Sequence, residues 1–76
     1  MENRKYFKDR LCELRKSHDL TQKQIAKDLG LVHQSVGNWE TGLSVPNLST
    51  FEKLCEYFNV SADYLLGLSD ARERKG

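Results

Sequence analysis

Residues 33–38 read His-Gln-Ser-Val-Gly-Asn, a run of hydrogen-bonding groups around one aliphatic side chain, Val36. The amides of Gln34 and Asn38 each carry a donor beside an acceptor, the pattern that matches N6 and N7 of adenine in a major groove. His33 and Ser35 add further hydrogen-bonding groups without a fixed charge, so the cluster suits reading an edge rather than attracting a polyanion. Gln34 is the first choice as a base reader, with His33, Ser35 and Asn38 secondary. Gly37 could let the backbone sit close to a sugar or phosphate. Taken alone, the same residue types could equally solvate an exposed helix.

Other reactive residue types do not assemble into a catalytic set. His18 is next to Asp19, but neighbours on a helix do not face each other, and a helix C-terminus attracts histidine without chemistry. No nucleophile or oxyanion site accompanies them, so no enzyme is expected. Cys55 lies in an apolar stripe and behaves as a small hydrophobe, whereas Cys12 is one step off a stripe and partly exposed. Two cysteines without a CxxC neighbour make neither a disulfide framework nor a metal site. No metal, cofactor or small-molecule ligand is expected.

The polar cluster needs a scaffold, and hydrophobic periodicity supplies one. Between Tyr6 and Asp19, Phe7, Leu11 and Leu14 recur at spacings of four and three, one stripe of an amphipathic helix. Thr21 with Gln24 three residues on forms a capping-box pattern for a second helix, which buries Ile25, Ala26 and Leu29 and stops at Gly30. A third helix spans about His33 to Thr41, with Val36 and Trp39 inward and Gly42 as its stop. Gly37 weakens it by about 0.5–1 kcal/mol relative to alanine, so it must lean on tertiary packing. Trp39 reads as core rather than a base-stacking platform.

After the loop Leu43-Ser44-Val45-Pro46, Asn47 caps a fourth helix. Its stripe of Leu48, Phe51, Leu54, Cys55 and Phe58 is expected inside, with Asn59 as its left-handed end. Ser61 caps a short fifth helix carrying Tyr64, Leu65 and Leu66 before Gly67. The expected fold is all-α, a five-helix bundle over residues 1–68 with a helix-turn-helix at 22–41, followed by a flexible polar tail at 69–76. A small residue at Ala26, a turn glycine at Gly30 and a buried aliphatic at Val36 let the two motif helices cross closely.

These residues resemble the XRE family, the DNA-binding domain of lambdoid phage repressors and Cro proteins. The match runs in register over about three quarters of the chain: Leu11, Leu14-Arg15, Leu20-Thr21-Gln22, Ile25-Ala26, Leu29-Gly30, Gln34-Ser35-Val36, Trp39-Glu40, Gly42, Pro46-Asn47-Leu48, Leu54, Val60-Ser61 and Asp63 to Leu66. The resemblance implies a lambda repressor-like domain whose third helix enters the major groove, and a sequence-specific transcriptional regulator, most naturally a repressor. It also implies phosphate contacts from Gln22 with the adjoining Thr21, and from Thr41 and Ser44 after the recognition helix. Arg15 and Glu40 resemble a family pair linking helix 1 to the end of helix 3 and are expected to orient it.

Two departures matter. Leu43 and Ser44 stand where many members carry lysine or arginine, and a basic arm of Arg4, Lys5 and Lys8 is expected to compensate. Val32 occupies the position where relatives cap the recognition helix with serine or threonine; it reads as a weak cap tolerated by packing, although its methyls could meet a thymine methyl. Because family members also serve as antitoxins, a protein-interaction module is the alternative. The polar recognition face favours DNA, since a protein-binding groove would expose aromatic or aliphatic anchors.

Composition agrees with a small binding module. The 76 residues, 38% hydrophobic and 30% charged, suffice for one core but not for a deep substrate cavity. Net charge is only +1, yet residues 1–39 hold eight Lys or Arg against five Asp or Glu, and residues 40–70 hold one against five. One basic face toward an anionic partner fits that asymmetry. No apolar run approaches membrane-spanning length and no signal segment follows the charged start, so a cytoplasmic protein of bacterial or phage type is expected.

A single recognition helix reads few base pairs, so a homodimer on a palindromic operator is expected. Its surface is sought in the acidic half, in the loop from Val45 to Leu48 and at Val60, Tyr64, Leu65 and Leu68.

Overall fold

Three of the five helices begin where a side chain accepts an amide that the first turn leaves without a partner. Thr21, Asn47 and Ser61 stand in extended backbone, and their side-chain oxygens accept the N–H of Gln24, Thr50 and Tyr64. A computed structural model describes residues 5–72 and contains five helices: α1 (Phe7–Ser17), α2 (Gln22–Leu29), α3 (Gln34–Thr41), α4 (Leu48–Phe58) and α5 (Ala62–Leu66). Only half of the expected capping box at Thr21 forms, because the Gln24 amide turns forward to Asp28 Oδ1 at 2.8 Å. Gly30, Gly42, Asn59 and Gly67 end α2 to α5 in the left-handed conformation.

The core collects Leu11 and Leu14 from α1, Ile25 and Ala26 from α2, Val36 and Trp39 from α3, Leu54, Cys55 and Phe58 from α4, and Val60, Tyr64 and Leu65. α3 is packed between α1 and α2, and α5 lies against α1 and α4. Trp39 is therefore core, as its spacing from Val36 requires. Gly67, at φ 81°, lies so close to the start of α1 that a Cβ there would come within 1.7 Å of the Lys5 carbonyl oxygen.

Three expectations are corrected. Leu48 shares the α4 stripe by angle but sits in its first turn, beyond the covering elements among the described residues, and is 82% exposed. Val60, Tyr64 and Leu65 lie in the core of one chain and present no surface to a second; Leu68, of the four residues expected there, stays exposed. The tail is not free from its first residue. Ser61 N–H donates to Arg72 O (2.9 Å), Arg72 Nε donates to the Tyr64 hydroxyl (3.1 Å), and Arg10 reaches Asp70 at 2.7 Å. Residues 73–76 of the expected tail lie outside the described residues.

Arg10 gave no signal in the sequence. Its guanidinium is buried, 4.1 Å from the centroid of the Tyr64 ring, and Arg72 makes a longer contact with the same ring at 5.3 Å. Cation–π attraction and the Asp70 carboxylate offset the desolvation of the charge.

Candidate nucleic-acid interface

α2 and α3 are joined by a tight turn in which Leu31 N–H donates to Ala26 O at 2.8 Å, closing the end of α2. α3 starts without a side-chain cap; Val32, exposed, contributes only its carbonyl, to Ser35 N–H at 3.1 Å. The cap position expected at Val32 falls instead at His33, one residue later, which also makes no side-chain cap bond. At the other end, the Asn38 carbonyl accepts from Leu43 N–H, Ser44 N–H and the Thr41 hydroxyl, which ties the following loop back onto the helix.

With Val36 and Trp39 inward, His33 and Gln34 are exposed and Ser35, Gly37 and Asn38 are half-buried along one outward strip of α3. Among the described residues, no side-chain hydrogen bond engages His33, Gln34, Ser35 or Asn38. The strip therefore offers intact donor–acceptor pairs to a partner, which a base edge can meet without breaking bonds within the protein.

The position of that strip is set by a three-helix network. Arg15 of α1 grips Glu40 of α3 with two parallel bonds, Nε to Oε2 at 2.7 Å and Nη2 to Oε1 at 3.1 Å, while its Nη1 donates to Leu20 O at 3.0 Å. Gln22, first residue of α2, adds a bond from Nε2 to Glu40 Oε1 at 3.0 Å. The pair is largely desolvated, with 16% of the Arg15 side chain and 6% of the Glu40 side chain exposed. Burial by itself would raise the Glu40 carboxyl, but the hydrogen bonds from Arg15 and then Gln22 hold it below the usual glutamate range. The fork geometry fixes orientation as well as distance.

The phosphate candidates divide. The Thr21 hydroxyl accepts from Gln24 N–H and keeps its own proton to donate. Gln22 uses one amide proton on Glu40 and keeps the other. The Thr41 hydroxyl proton already goes to Asn38 O at 3.1 Å, so a phosphate contact there requires the hydroxyl to rotate. Ser44 is exposed. In the basic arm, Lys5 is paired with Glu13, and Arg4 lies outside the described residues. Lys8 runs its aliphatic stem beside Gly42, where a Cβ would meet its Cδ at 3.2 Å, so it is the arm residue placed next to the end of α3.

On the far side of the α3–α4 loop, Val45, Pro46, Leu48 and Leu66 line an apolar groove of about 320 Å³ floored by Phe7 and Phe51. Leu48 also borders a second groove of about 610 Å³. The sequence pointed to the Val45–Leu48 loop, and Leu66, from the fifth helix, is 40% exposed beside it.

Two closely crossed helices, the second bearing an open polar strip, define a helix-turn-helix domain. A helix-turn-helix family model matches residues 13–65, and the chain belongs to the XRE-type helix-turn-helix family. It is 39% identical over 66 residues to the uncharacterised HTH-type transcriptional regulator YobD of Bacillus subtilis, covering 87% of this chain and 59% of YobD. It is 37% identical over 54 residues to the antitoxin PezA of Streptococcus pneumoniae, covering 71% of this chain and 34% of PezA. The chain thus spans less than two thirds of these relatives. Its fold superposes on that of the P22 c2 repressor in complex with a synthetic operator, with a TM-score of 0.79 at 25% identity, over 86% of this chain and 98% of that one.

Proposed function

We propose that this chain is the DNA-binding part of a cytoplasmic transcriptional repressor and that α3 reads base edges in the major groove. The observation that carries the reading is the unengaged amide and hydroxyl strip of α3, held at a fixed angle by the Arg15–Glu40–Gln22 network. Gln34 is the principal base reader, with His33, Ser35 and Asn38 beside it. Gln22, Thr21, Ser44 and Lys8 meet phosphates, and Thr41 joins them after its hydroxyl rotates. The likeness to an operator-bound repressor supports double-stranded DNA as the partner.

Two copies on a palindromic operator, meeting through Val45, Leu48 and Leu66, account for both the exposed groove and the limited reach of one recognition helix. Selection from random duplex DNA at several salt concentrations tests the reading: a recovered palindrome with a steep salt slope is expected. Repeating it with Gln34→Ala should relax one base pair per half-site at a cost of about 1–3 kcal/mol. Recovery of no motif would refute sequence-specific binding. The similarity to PezA and the same apolar groove favour a second reading, a protein-interaction module, which predicts that outcome.

A further inference from the structure

Gln22 reaches from the start of α2 across to α3, and its amide lies along the face of α3 formed by Gly37 and Glu40, one turn apart. The carboxylate can only accept, so Nε2 faces Glu40 and Oε1 is turned toward Gly37. A Cβ built on Gly37 would come within 3.1 Å of Gln22 Oε1 and 3.7 Å of its Cδ, closer than an amide oxygen normally meets a methyl. Gly37 has no positive φ to require glycine, so its backbone would accept alanine, a better helix former. What the missing side chain provides is the slot the amide occupies.

We propose that Gly37 is a positioning residue for DNA binding: its bare α-carbon opens the slot in which Gln22 is held by Glu40, with its second amide proton directed to a backbone phosphate. This rests on the reading of Gln22 as a phosphate contact. A methyl at 37 pushes the amide out of the slot, loosens its bond to Glu40 and spoils the aim of the remaining proton. The effect concerns a phosphate and therefore falls equally on every sequence.

The test is a double-mutant cycle of Gly37→Ala and Gln22→Ala on the intact chain, measured against the selected operator and an unrelated duplex. Gly37→Ala should weaken both duplexes by a similar factor, about two- to tenfold, the net worth of one hydrogen bond. The loss should vanish in the Gln22→Ala background. The melting temperature of Gly37→Ala should hold or rise, and the Gln22 side-chain amide proton resonances should shift in the free protein.

Additive losses would mean that the methyl meets DNA directly and would overturn the proposal. So would full affinity, or a loss confined to one base pair. Unshifted Gln22 amide resonances would refute the slot itself, whereas Gln22→Ala binding as tightly as the parent would refute the phosphate reading on which the proposal rests.

Discussion

Replacing Glu40 with alanine removes the acceptor of three hydrogen bonds, two from Arg15 and one from Gln22. The guanidinium left behind is only 16% exposed and keeps its bond to the Leu20 carbonyl. Breaking a buried pair from one side costs about 3–5 kcal/mol, because the surviving charge stays desolvated. Partial exposure and the carbonyl move Glu40→Ala toward and below the low end of that range, to about 2–4 kcal/mol. Against a total stability of roughly 4–11 kcal/mol for 76 residues, that is a large fraction. The melting temperature should fall by about 10–25 °C.

Arg15→Ala should cost about as much near neutral pH, because it strands a carboxylate that burial then pushes upward. The double variant Arg15→Met/Glu40→Leu removes both charges and should cost less than the sum of the two single losses, by about 1 kcal/mol or more. The pH dependence has a definite sign. Glu40 titrates below its ordinary value in the fold, so its contribution is present above about pH 4.5 and is lost as pH falls through the folded value. The cost of Glu40→Ala should therefore shrink in acid. Urea unfolding at pH 7 and pH 4 measures all of this. Single losses under about 1 kcal/mol that add within about 0.5 kcal/mol would show that the pair neither stabilises the fold nor fixes α3.

Gly67→Ala should cost about 2–4 kcal/mol in thermal unfolding, since its Cβ would overlap the Lys5 carbonyl at 1.7 Å and its φ of 81° disfavours any side chain. Burial, then the hydrogen bond to Asp28 and its charge, push the Tyr57 hydroxyl up to about 12. The folded state thus favours the protonated phenol, whose contribution is whole below about pH 10 and fades as pH rises to about 12. Tyr57→Phe should accordingly narrow its stability deficit over that window, and a deficit constant with pH would count against the Asp28 contact. Leu48→Glu, at an 82% exposed site, should leave stability within about 0.5 kcal/mol but reduce the sedimenting complex on an operator duplex from two chains to one; two chains retained would remove the Val45–Leu48 surface from the assembly.

What the sequence made legible was local. An N-cap is an interaction between residues three apart, so Thr21, Asn47 and Ser61 announced α2, α4 and α5 in the chain itself. Helical phase likewise assigned Leu11, Leu14, Val36 and Trp39 to the core. Phase gives a direction, not a cover. Leu48 points along the right stripe yet stays exposed, while Tyr64 and Leu65 looked surplus because apolar area cannot be allotted before α5 is placed on α1. The Arg10–Asp70 contact joins residues sixty apart in sequence and had no local trace.

The Arg15–Glu40 pair was reachable only through the family resemblance, and the Gln22 slot over Gly37 was not reachable at all, because it exists only once α2 crosses α3. The division has a physical reason. α3 lacks a side-chain cap and carries a mid-helix glycine, so local forces hold it poorly, and contacts from α1 and α2 must supply its rigidity. A helix made this way can keep its outward side chains free of internal bonds and still present them at one angle. The strip could be read from residue type and helical phase, but not the angle at which it is held, because that comes from Arg15 and Gln22 on other helices.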